Sequence, residues 1–142
     1  MNKFVEALAR HELARQKVDA LSRRIGLAIN RCPVVVKSND WTISNAERAE
    51  LWDEKTGKHK THLWQAYAET TSSECGYGMR LLDEDEQEEG LRPRNGGCRH
   101  CLRAWRLIRD RRIERRELGY ARLAIRALGK QAIKMVEAEH VD

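Results

Sequence analysis

Gly96-Gly97-Cys98-Arg99-His100-Cys101-Leu102-Arg103-Ala104-Trp105-Arg106 is the stretch on which the chain turns. Two thiols three residues apart stand at the mouth of a long basic segment. Ten of the 19 arginines lie between Arg99 and Arg126, against only Asp110, Glu114 and Glu117. A C-x-x-C pair gives zinc two thiolates at a suitable bite, residues Gly90 to Gly97 form a linker into it, and the glycines beside Cys75 let backbone amides turn toward that thiolate. The reading is a metal knuckle that opens a helix running from Cys98 toward Glu139.

That helix carries Leu118, Ala121, Ile125, Leu128, Ala132 and Met135 in steps of three and four, which is the spacing of an apolar seam. Gly119 and Gly129 are candidate bends. The N-terminal residues Asn2 to Asn30 show the same period in Phe4, Ala7, His11, Ala14, Val18, Leu21, Ile25 and Ala28, with Val5 and Leu8 widening the stripe. Cys32-Pro33 ends it, because the residue before proline avoids helical geometry. At about 1.5 Å per residue, roughly 30 residues reach about 45 Å in each helix. The expected fold is mainly α over a single domain, 1–142. Long N- and C-terminal helices pack antiparallel, with a small zinc-knuckle knob and at most a short β-hairpin between them. The segments are a helix over 1–30, a central region over 31–97 and a basic helix over 98–139.

The centre reads less cleanly. Val34-Val35-Val36 is β-branched and suits a short buried strand. Ser44 with Glu47 three residues on forms a capping box for a helix bearing Ala46, Ala49 and Trp52. Residues Lys60 to Thr70 read as helix, with a hairpin turning at Lys55-Thr56-Gly57 as the rival. Asp83 to Glu89 holds six acids in seven residues, the pattern of a solvated loop, or of one that lies against the arginine helix and competes with an anionic ligand. The four tryptophans, Trp41, Trp52, Trp64 and Trp105, are expected to supply much of the bulky core.

Four cysteines admit two disulfides in a secreted domain. Met1-Asn2-Lys3 leads into charged residues with no apolar leader, and no window approaches a membrane span. A cytoplasmic setting and a metal role for the thiols follow. Cys32, Cys75, Cys98 and Cys101 are the expected ligands of one Zn²⁺. His59, His62 and His100 are the alternatives to Cys32. A thioredoxin-like pair lacks its preceding strand, and haem attachment lacks a histidine at Leu102. No P-loop, G-x-S-x-G, H-E-x-x-H or deaminase motif is present, so no enzyme is read, although a metal-dependent nuclease using His59 or His62 is a minor alternative.

The net charge of +5, with arginine outnumbering lysine, points to an anionic partner once its crowding on one helix is considered. Arg99, Arg103, Arg106, Arg109, Arg112, Arg115 and Arg116 are the expected phosphate contacts, since guanidinium groups fork onto phosphate oxygens. The function expected is a small zinc-stabilised nucleic-acid-binding accessory or regulatory protein, with DNA before RNA, of the kind a phage or mobile element carries. The rival class is an assembly module, in which the helical seams meet a partner or a second copy and the arginines face an acidic surface.

Overall fold

The computed structural model describes residues 2–73 and 76–140. The chain divides into two compact units, one from residues 1–22 and 108–142 and the other from residues 23–107. Two long helices, α1 (Lys3–Asn30) and α6 (Arg99–Glu139), pack against each other. Between them in sequence stand α2 (Pro33–Ser38), α3 (Asn45–Glu50), β1 (Trp52–Asp53), β2 (Lys58–His59), α4 (His62–Gln65), β3 (Ala68–Ser73), β4 (Gly76–Leu81) and α5 (Glu84–Leu91).

The first unit is an antiparallel helix pair. Lys3 Nζ donates to Gln131 Oε1 at 2.9 Å, Arg10 pairs with Glu117 at 3.2 Å, and Arg111 donates to Ser22 Oγ at 3.1 Å. As the α1 number rises, the α6 number falls. The seam follows the sequence period: Ala14, Leu118 and Ala121 are buried, while Phe4, Ala7, His11, Val18, Ile125, Leu128 and Ala132 are half-buried. Two of the three buried positions are alanine, which lets the two backbones approach there, and His11 is a seam residue. Val5, Leu8 and Met135 are exposed, so the seam is narrower than the hydrophobic residues alone imply. Gly119 and Gly129 lie within an uninterrupted α6.

The second unit gathers the end of α1, the start of α6 and all that joins them. Ile25, Ala28, Val35, Leu63, Leu91, Leu102, Ala104, Trp105 and Leu107 form its core. The valine run is helix rather than strand. Pro33 occupies the first turn of α2, where its missing N–H costs nothing and its φ is already helical, and only Val35 of the three valines is buried. The hairpin reading of the next stretch is the correct one. β1 and β2 pair Trp52 with His59 and Asp53 with Lys58, and Gly57 closes the turn at φ +66°. α4 is a single turn, and β3 pairs with β4 from Ala68–Leu81 to Ser73–Gly76.

The acidic run is also helix. Asp83 caps α5 by accepting from Glu86 N–H, and Glu86 reciprocates toward Asp83 N–H, which completes a capping box. Glu84, Asp85 and Glu86 then sit in the first turn, where the helix dipole favours anions. Of the tryptophans only Trp105 is core: its indole N–H donates to Gln87 Oε1 at 2.9 Å. Trp52 and Trp64 are part-exposed, and Trp41 stands 87% exposed.

Candidate metal centre

Four side chains converge in the second unit. The Sγ atoms of Cys32, Cys98 and Cys101 and a ring nitrogen of His62 all lie within 4.8 Å of one another. Cys32 Sγ is 3.5 Å from His62 Nδ1. Donors on a tetrahedral ion, with zinc–sulfur near 2.3 Å and zinc–nitrogen near 2.0 Å, stand about 3.5–3.8 Å apart along each edge. The four atoms are thus close enough to hold one metal ion.

Each ligand is positioned by a local device. Cys32 follows the last turn of α1, where its N–H bonds to Ile29 O, and it is the residue before Pro33 that caps α2. His62 is the first residue of α4, whose cap Thr61 is buried and accepts from Trp64 N–H at 3.1 Å. Cys98 precedes α6 and Cys101 lies in its first turn. Ahead of them, Gly96 adopts φ +87°, and Gly97 passes so close to Leu91 that a Cβ there would run into the Leu91 carbonyl. Gly97 N–H donates to Arg92 O at 3.1 Å. The glycine pair thereby fixes where the C-x-x-C loop begins.

The thiols sit in a buried environment with backbone N–H groups directed at sulfur. Cys32 and Cys101 are fully buried and Cys98 nearly so. Burial pushes the Cys101 thiol far above its ordinary range, with Cys98 and Cys32 adding to the effect, while the Leu63 N–H pulls the other way. Cys101 N–H donates to Cys98 Sγ at 3.3 Å. Backbone N–H groups aimed at sulfur stabilise thiolates, and a cation at the centre removes the penalty for three of them lying together.

The cluster unites Cys32, Cys98 and Cys101 of the expected ligand set with His62, which was expected only as a replacement for Cys32 and instead stands beside it. Cys75 falls outside the described residues. His59 stands apart from the cluster: its ring packs edge-on against Trp52 at 4.7 Å between centroids. His100 turns to a different surface, beside Arg99. Spacing could not choose among the histidines. The usable signal for His62 was Thr61, an N-cap that starts a turn and orients the next side chain.

The expected phosphate contacts separate. Arg99, Arg103 and Arg106 are exposed on the part of α6 that belongs to the second unit. Arg106 is held by Glu88 at 3.0 Å, so one acid of α5 does lie against the basic helix. Arg109, Arg112, Arg115 and Arg116 are exposed on α6 in the first unit.

The chain matches no protein-family profile, no curated protein and no solved structure. No helix among the described residues is long and apolar enough to cross a membrane.

Proposed function

We propose that the chain is a small zinc-stabilised protein that binds nucleic acid, DNA before RNA as the candidate polymer, through its phosphates, as an accessory or regulatory factor. The observation that carries this reading is the four-donor cluster at the start of α6. Three buried thiolates and one half-buried imidazole make a complete four-donor set that suits zinc in a structural role, because four protein donors fill a tetrahedral shell. Zinc would tie the first turn of α6 to the end of α1 and to α4, holding the arginine-bearing helix on a rigid base. Arg99 and Arg103 emerge from that base without a carboxylate partner among the described residues. Such guanidinium groups give salt-dependent, largely sequence-independent contacts.

Binding of labelled 20-base-pair DNA and of an RNA strand, across a salt series, tests this reading. The expected result is micromolar or tighter association in dilute buffer that weakens steeply as salt rises. Binding to neither polymer at low salt would contradict it. Exposed Val5, Leu8, Leu123, Ile133, Met135 and Val136 on the first unit favour a second reading, an assembly module. A salt-insensitive dimer lost in Leu8→Asp, with no nucleic-acid binding, would select that reading.

A further inference from the structure

A cleft of about 430 Å³ opens in the second unit beside the cysteine cluster. One wall is the end of α1, with Arg24, Leu27 and Ala28, and the turn that follows it, with Arg31. The other is the start of α6, with Arg99, His100 and Arg103. Positions 24, 27 and 28 share one face of α1, and Arg31, in the turn after it, donates its N–H to Ala28 O at 3.1 Å, so the two arginines flank a short apolar floor. Four guanidinium groups and an imidazole line the space, and among the described residues no carboxylate does. Among the described residues none of these four arginines forms an ion pair. Like charges so placed repel one another, and water alone screens them. A multivalent oxyanion would relieve that repulsion and accept forked hydrogen bonds from both walls.

The helix ends do not decide the sign of the cleft. The positive end of the α6 dipole and the negative end of the α1 dipole both lie near it and largely offset. A divalent ion on three thiolates and a neutral imidazole leaves one net negative charge, small against four arginines. The cleft is therefore cationic with the cluster filled.

The cleft and the cluster share their backbone. Arg31 is bonded to Cys32, and Arg99 and His100 are the two residues inside Cys98-x-x-Cys101. A metal that joins Cys32 to Cys98 and Cys101 fixes the spacing of the two cationic walls. We propose that this cleft is a phosphate-binding site that the metal assembles, with Arg24 of α1 and Arg31 just beyond its end facing Arg99 and Arg103 of α6 across the bound oxyanion. The phosphate is a nucleic-acid backbone group or a free phosphate. The inference rests on the metal reading above and adds a second wall to the basic helix.

The test uses the full-length, metal-loaded protein and Arg24→Gln/Arg31→Gln. Both side chains are exposed, so the change leaves the core intact, and a melting curve checks this. Two probes are titrated separately: inorganic phosphate, followed by the NMR shifts of His100, and the labelled 20-base-pair duplex. The expected result is at least a tenfold loss of affinity in the double variant for whichever probe the parent binds. For the duplex, the slope of log affinity on log salt should fall by about two. Chelator-stripped parent should lose a similar factor. Binding of phosphate but not of duplex supports the cleft and sinks the nucleic-acid reading. Duplex binding that is equal in parent and double variant sinks the cleft and leaves the nucleic-acid reading standing. Failure of the parent to bind either probe overturns both, and stripped protein that binds like loaded protein overturns assembly by the metal.

Discussion

Cys32 Sγ and His62 Nδ1 stand 3.5 Å apart although 30 residues separate them. Their meeting joins the end of α1 to the start of α4, and Cys98 and Cys101 bring in the start of α6. A single ion would thus cross-link three segments that the sequence keeps far apart. Closing such long loops through a metal removes conformational freedom from the unfolded chain, and the metal-binding free energy becomes folding free energy.

The glycine pair before Cys98 makes one consequence sharp. Gly97→Ala places a methyl group against the Leu91 backbone, which has no flexible tip to yield. A loss of about 3 kcal/mol, or failure to fold, is expected. Gly119→Ala and Gly129→Ala meet open space inside α6 and should each gain about 0.5–1 kcal/mol. Chemical denaturation of the three variants checks this. Equal effects at all three positions would contradict the close approach at Gly97.

In the first unit the seam, rather than the hydrophobic residues as a class, should carry stability. Leu118 is 7% exposed and Leu123 58%. Leu118→Ala should cost about 2–3 kcal/mol and Leu123→Ala less than about 0.5 kcal/mol. Reversal of that order in thermal melts would mean the helix pair is rotated from the arrangement described.

These seams were legible because steps of three and four survive any tertiary context, and both long helices follow them to within a residue or two. The middle was not. A run of three valines has strand propensity, but Pro33 at the first helical position and burial of Val35 alone outweigh it. The acids from Asp83 to Glu89 hid a helix because their charge suggested solvation, although Asp83 and Glu86 already spelled its capping box. Three of the four clustered donors were readable as cysteines. The fourth is selected by which histidine the fold delivers, and that is a tertiary fact. The arginine density of α6 is plain in the sequence, whereas the gathering of Arg24 and Arg31 with Arg99 and Arg103 in one cleft is a tertiary fact.

Glu88 and Arg106 form an ion pair at 3.0 Å. If α6 contacts phosphates, Glu88 competes for a guanidinium that would otherwise reach them. Glu88→Gln should tighten duplex binding by about two- to fivefold at low salt and leave the fold unchanged. Weaker binding on this substitution would mean that the pair positions Arg106 for its ligand.

Glu12 provides a pH marker for α1. Hydrogen bonds from Arg15, then from Gln16, hold its pKa at about 2. A lowered folded-state value means that the pairing stabilises the fold above the ordinary carboxylate range and is lost as pH falls through about 2. The effect on stability is small, since the pair is exposed and screened. NMR titration of the Glu12 carboxyl carbon should show its midpoint near pH 2. A midpoint in the ordinary glutamate range would mean that Arg15 does not hold it.

The most direct test of the account is the metal content and ligand shell of protein purified without added metal. Elemental analysis should find about one zinc per chain, and X-ray absorption should find three sulfur neighbours near 2.3 Å and one nitrogen near 2.0 Å. Chelation should lower the melting temperature sharply. Four sulfur neighbours would replace His62 with a fourth thiolate. Metal below roughly a tenth of an equivalent, with melting unchanged by chelator, would contradict the metal centre and the folding role given to it.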